Sequence, residues 1–112
     1  MHELGLCEDI VAAVERRANG RPVARFRVQV GRLHHVHPDA FEQSIEMAAA
    51  GGPAEGAVAE LVLVPVRARC AACGAETESD ELILTCPACG SMDVELRGGE
   101  ELVLESIEYQ GA

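Results

Sequence analysis

The chain has 112 residues, with 19 acidic against 9 basic side chains and a formal net charge of −10. A hydrophobic fraction of 48% marks a globular rather than a disordered chain, but two Phe, one Tyr and no Trp leave Val, Leu, Ile and Ala to build the core. This length buries roughly two-thirds of the unfolded surface, enough for one modest core and a small stapled appendage. The acidic balance argues against a dedicated nucleic-acid binder, which needs Lys and Arg to displace condensed counterions.

The opening MHELGLCEDIVAAVERR has neither the basic n-region nor the apolar h-region of a signal peptide. No stretch reaches the roughly 18–20 apolar residues of a membrane span, so a cytoplasmic protein is expected. Residues 3–19 read as an amphipathic helix, because Leu4, Cys7, Val11, Val14 and Ala18 recur at alternating steps of three and four, with Ile10 widening the stripe. Asn19-Gly20 is its stop signal. A strand follows over 23–30, where Phe26, Val28 and Val30 alternate with Arg25, Arg27 and Gln29, one face on a core and one wet.

Residues 31–37 read as a connection, and Pro38 with Asp39 suits the first turn of a second helix. Phe41, Ile45 and Ala48 or Ala49 form its buried stripe, and Gly51-Gly52-Pro53 ends it. The next strand, 58–66, contains the run Leu61-Val62-Leu63-Val64. Consecutive apolar residues predict a strand covered on both faces, and so a central one. Over 67–98 apolar periodicity weakens and Cys, Gly and Pro punctuate the chain. A final strand over 101–109 resumes alternation, with Val103, Ile107 and Tyr109 on one side and Leu102 and Leu104 on the other. The Cys-rich segment is therefore inserted between two strands of one sheet.

That segment holds Cys70-Ala-Ala-Cys73-Gly74 and Cys86-Pro-Ala-Cys89-Gly90, with twelve residues between Cys73 and Cys86. Two residues between thiols let both sulfurs converge on one ion, and the following Gly permits positive φ. In a reducing compartment such pairs read as metal ligands rather than disulfides. Four thiolates leave no open coordination position, the arrangement of a structural zinc site. Rubredoxin-like iron and a redox dithiol pair are the other readings of the same residues. The fifth thiol, Cys7, lies on the helical stripe and reads as a core residue, a reactive thiol being the alternative.

All four His precede residue 38: His2, His34, His35 and His37. A His in second position can offer the Met1 amine, its own amide nitrogen and a ring nitrogen as fused chelate rings in one plane, a geometry suited to nickel(II) or copper(II). Met1 should be retained, because removal of the initiator requires a small second residue. Glu3 either adds a carboxylate oxygen or faces the positive end of the helix. An inert His2 is the plain alternative. For His34, His35 and His37 the plain reading is a partly exposed loop; were the segment extended, His35 and His37 would share a face.

Taken in order, these features resemble the nickel metallochaperones of hydrogenase maturation, the HypA/HybF type. The resemblance rests on Met1-His2-Glu3, on the Val-Gly-x-Leu pattern of Val30 to Leu33 with Pro38 and Phe41, and on Glu55-Gly56-Ala57 before an apolar strand. It continues through Cys70, Cys73, Cys86-Pro-x-Cys89-Gly90-Ser91 and a closing Gly99-Glu100-Glu101-Leu102 to Ser106-Ile107-Glu108. It implies an α+β fold: two helices on a three-stranded sheet, residues 1–66 with 99–112 as a nickel-binding part, and an inserted four-cysteine zinc ribbon at 67–98. By matching positions, His2 would bind nickel with Met1 and Glu3, and Cys70, Cys73, Cys86 and Cys89 would bind structural zinc. Family partners would be a HypB-type GTPase, the precursor of the hydrogenase large subunit and, in some relatives, a urease accessory protein, with the chain itself a monomer or weak homodimer. The run His34-His35-Val36-His37 is not part of the family pattern. It would bring His37 near His2 if the two helices start side by side.

A different class of reading is a zinc-ribbon module for protein or nucleic-acid interaction without nickel function. It would use the arginines gathered in the first third, Arg16, Arg17, Arg21, Arg25, Arg27 and Arg32, against Arg67, Arg69 and Arg97 afterwards. No constellation of nucleophile, base and oxyanion donors appears, so the chain reads as a non-enzyme.

Overall fold

The computed structural model describes residues 2–111, with His2 as backbone alone. Helix α1 (His2–Ala18) forms where the apolar stripe predicts it, and it buries Leu6, Cys7, Ile10, Val11, Val14 and Ala18. Leu6 belongs to that stripe, whereas Leu4 is only half-buried. Asn19 and Gly20 end the helix in left-handed conformations, with φ of 50° and 86°. Strand β1 (Val23–Gly31) follows, then a 3-10 turn at Arg32–His34 and helix α2 (Pro38–Ala49), which packs against α1 and buries Phe41, Ile45 and Ala49. The remaining strands are β2 (Val58–Val64), β3 (Val66–Cys70), β4 (Glu76–Ser79), β5 (Val94–Gly98) and β6 (Leu102–Tyr109). They form two three-stranded sheets, β2-β1-β6 and β4-β3-β5, so the fold is α+β, with the cysteine segment lying in sequence between two strands of the first sheet.

The chain divides into two compact units. The first comprises residues up to Gln29, Val36–Val62 and the chain from Val103 onward. Its buried residues are the facing stripes of α1 and α2 together with Val23, Phe26 and Val28 of β1, Val36 and Ala54. The other face of β1 is polar and paired sideways. Arg27 Nε lies 3.0 Å from Glu60 on β2 and its Nη1 3.3 Å from Glu105 on β6, Arg25 also pairs with Glu60, and Gln29 Nε2 donates to Glu105 at 2.7 Å. These lateral pairs are why an alternating strand sits at the centre.

The expectation that the strand over 58–66 is central is overturned, since β2 ends at Val64 and is an edge, and Val66 already belongs to β3. Val62 is 38% exposed and Leu61 is only half-buried. Because Glu60 reaches the arginines of β1, residues 58, 60 and 62 share that open face, and the run is apolar on both sides without being covered on both. Val suits a pleated surface whether or not something covers it, so an apolar run does not by itself report burial.

The second unit comprises Val30–His35 and Leu63–Leu102. Strand β3 alternates buried Val66, Ala68 and Cys70 with exposed Arg67 and Arg69. It pairs antiparallel with β4, Val66 opposite Ser79 and Arg69 opposite Glu76, and with β5 through a bulge between Arg67 and Ala68. The unit's core is Val66, Ala68 and Ile83, with Leu33 and Val94 packed against it. The segment that reads as a mere connection is thus part of this unit. Gly31 N–H donates to Glu101 O at 2.7 Å and Leu33 N–H to Gly99 O at 2.9 Å. At Gly31 a Cβ would overlap the Gly99 carbonyl, which explains a glycine at the end of a strand.

Phe26 is fully buried and is one of only two phenylalanines. Phe26→Ala should lower the unfolding free energy by about 3–5 kcal/mol, read as a shifted urea midpoint with an unchanged slope.

Candidate metal centre

The two Cys-x-x-Cys segments fold into the same turn twice. Cys70 N–H donates to Ala75 O and Gly74 N–H to Cys70 O, at 2.9 and 2.8 Å; Cys86 N–H donates to Ser91 O and Gly90 N–H to Cys86 O, both at 2.8 Å. Gly74 and Gly90 stand at φ of 78° and 77°, the left-handed backbone that lets each turn close under its first sulfur. The first cysteine of each pair, Cys70 and Cys86, is buried, and the second, Cys73 and Cys89, is exposed. Asp93 O receives the Ala71 N–H at 2.8 Å, tying the stretch after the second turn to the first.

The four sulfurs lie within 4.8 Å of one another, with Cys70 Sγ 3.6 Å from Cys89 Sγ and Cys73 Sγ 3.7 Å from Cys86 Sγ. A disulfide needs about 2.05 Å. A tetrahedral ion with metal–sulfur bonds near 2.3 Å has sulfur–sulfur edges of about 3.8 Å, so the set fits one zinc-sized ion. The thiols also cannot all ionise alone. The Cys73 N–H, assisted by that of Ala72, holds Cys70 down at about 7, and the Cys89 and Ala88 N–H groups lower Cys86 likewise. At Cys89 the Ser91 N–H also lowers, but the neighbouring Cys70, Cys73 and Cys86 sulfurs together with desolvation outweigh it and push the thiol up to about 12. Two sulfurs are thus ready for an ion, while a third gives up its proton only to one.

The amino-terminal site residues fall differently. Met1 and the His2 side chain lie outside the described residues. Glu3 Oε1 accepts the backbone N–H of His37 at 3.1 Å, so the first turn of α1 and the residue preceding α2 are hydrogen-bonded together. The starts of the two helices thus meet, the condition on which the sequence would bring His37 towards residue 2, although the bond itself joins Glu3 to a backbone N–H 34 residues away. His37 is exposed, while His34 Nε2 lies 3.1 Å from Glu100 O. His35 sits at φ 55°, so the segment is not extended and the three His do not form one face. Cys7 is a core thiol, wholly buried with Sγ 3.7 Å from Phe41 O. Burial, then the Glu3 charge, pushes it up to about 11, which leaves it protonated and unreactive.

The family model for hydrogenase/urease nickel-incorporation metallochaperones of the HypA type matches residues 1–109. A hydrogenase maturation factor HypA of Trichormus variabilis is 38% identical over 110 residues, covering 98% of this chain and 96% of that one. A HypA 2 of Bradyrhizobium diazoefficiens is 38% identical over 111 residues, covering 96% and 98%. The solution structure of the Ni metallochaperone HypA from Helicobacter pylori superposes with a TM-score of 0.68 at 24% identity, covering 97% of each chain, a likeness of fold.

Cys73→Ala should abolish metal retention by the cluster and raise amide exchange across 70–95, measured by metal analysis and hydrogen exchange. Because Cys89 stays protonated well above neutrality, loading releases at least its proton. Lowering the pH from 8 to 6 should therefore weaken zinc binding by roughly tenfold per unit or more, as read by chelator competition.

Proposed function

Because the chain belongs to the HypA family of nickel-incorporation metallochaperones, we propose that it binds nickel(II) at its amino terminus and passes it on during maturation of NiFe hydrogenase. The nickel donors on this reading are the Met1 amine, the His2 amide and ring nitrogens and Glu3. The observation that supports it is the Glu3–His37 hydrogen bond, which ties the first turn of α1 to the backbone of the residue before α2, so that on this reading the His37 ring is a candidate further donor. The cysteine cluster holds zinc as a structural ion, since four thiolates leave no position for a ligand to enter.

The mechanism is ligand exchange rather than catalysis. A nitrogen-rich site built on the terminal amine and His2 would select nickel by its planar geometry and surrender it when a partner offers better-placed ligands. A closed tetrathiolate cannot, so the two centres divide the labour between cargo and scaffold. The partners on this reading are a HypB-type GTPase and the hydrogenase large-subunit precursor, with a urease accessory protein in some relatives, and the setting is the cytoplasm. Among the described residues no helix is long and apolar enough to cross a membrane.

His2→Ala should remove nickel binding in isothermal titration while metal analysis still finds one zinc per chain and the melting curve is unchanged. Undiminished nickel affinity would sink the assignment. Strong visible absorption by the as-purified protein would give the cluster to iron instead of zinc. His37→Ala should weaken nickel binding without abolishing it.

A further inference from the structure

Large apolar side chains left in water on the second unit gather beside one metal turn. Leu84 is 66% exposed, Met92 81% and Leu82 49%. The Cys86 N–H to Ser91 O bond closes the base of that turn, so the chain entering it after Leu84 and the chain leaving it at Met92 run side by side. Ile83 is anchored in the core with Val66 and Ala68, which turns its two leucine neighbours outward. The tips of both metal turns, Ala71-Ala72 and Pro87-Ala88, are exposed and uncharged, and Cys73 and Cys89 are exposed with them.

The charge beside this turn is mainly acidic: Arg32 pairs with Asp80 and Arg97 with Glu95, which leaves Glu81 and Asp93 next to the exposed apolar groups. From Cys70 to Leu96 the chain has no Lys or Arg, while it has Glu76, Glu78, Asp80, Glu81, Asp93 and Glu95. Four thiolates around a divalent ion add two more negative charges at the surface. We infer that the rim of Leu82, Leu84 and Met92 around the outer thiolates is a docking surface for a protein segment that sets Arg or Lys between apolar side chains. The apolar groups cover the rim while the basic ones face Glu81, Asp93 and the thiolate centre. A second copy of this chain would bring the same acidic rim into contact with itself, and a nucleic acid or anionic membrane would bring more negative charge, so neither fits. The inference depends on an ion in the cysteine cluster and is independent of nickel at the amino terminus.

The test uses the zinc-loaded full chain, labelled with nitrogen-15 and titrated with a synthetic amphipathic 15-residue peptide of Leu and Arg, beside a matched peptide of Leu and Glu. Saturable shifts confined to residues 71–74 and 81–93 are expected with the Arg peptide alone. In L84S/M92S, which changes only exposed side chains, zinc content and melting should hold while peptide affinity falls about tenfold. The proposal is overturned by any of three results: no saturable binding, shifts spread equally over Asp39, Glu42 and Glu46 of α2, or unaltered affinity in L84S/M92S. Concentration-dependent self-association through the same residues would assign the rim to a second copy and overturn it as well.

Discussion

Four sulfur atoms within 4.8 Å of one another cannot all carry charge in the absence of a cation, and the second unit is organised around that constraint. Two sulfurs are drawn down by backbone N–H groups and a third is forced to keep its proton, so the polypeptide supplies the geometry and leaves the charge balance to an ion. The rest of the unit has little else to hold it. Its core is Val66, Ala68 and Ile83 with two half-buried neighbours, far less than a domain of this kind normally needs to fold unaided. A structural ion contributes an apparent 10–16 kcal/mol or so in small zinc modules at neutral pH, enough to make up for so small a core.

The same constraint explains why the unit reaches back for Val30–His35. Leu33 adds apolar area to a core that lacks it, and the N–H groups of Gly31 and Leu33 find acceptors in Glu101 and Gly99. That close crossing of two backbones works only because Gly31 carries no Cβ. The chain then turns through His35 in the left-handed region and re-enters the first unit at Val36, one residue before the His37 N–H meets Glu3. A segment of six residues that reads as a connection therefore does structural work in the second unit.

What could be read from the amino-acid sequence follows the range of the interaction concerned. The stripe of α1, the alternation of β1 and the Cys-x-x-Cys spacing are local patterns, and each specifies its own element or turn. The edge position of β2 was not legible, because an apolar run on an edge strand and one on a covered strand look alike; only the Glu60 pairs with β1 reveal which face is open. Strands β4 and β5 carry almost no apolar periodicity, since they flank β3 with mostly exposed or half-buried side chains and pairing with β3 rather than a buried stripe places them. The Glu3–His37 bond joins residues far apart in the chain, so the sequence offered their proximity only as a condition on how the two helices start.

Charge is where the structure alters the reading most. The arginines of the first third look like a basic patch fit for nucleic acid, but they are largely engaged within the fold. Arg25 and Arg27 are held by Glu60 and Glu105, Arg32 by Asp80 at 3.1 Å, and the Arg21 guanidinium lies 3.8 Å from the centre of the Tyr109 ring. Pairs this exposed add little stability, yet they cancel the positive field that a phosphate backbone would require. The surplus left to face solvent is acidic, and a loaded tetrathiolate cluster takes the formal charge from −10 to two units lower. Such a surface raises the local concentration of divalent cations and favours partners rich in Lys or Arg. Composition reads this charge only as a net sum; the pairing of the arginines shows which charges are spent inside the fold and that the groups left over are mainly acidic.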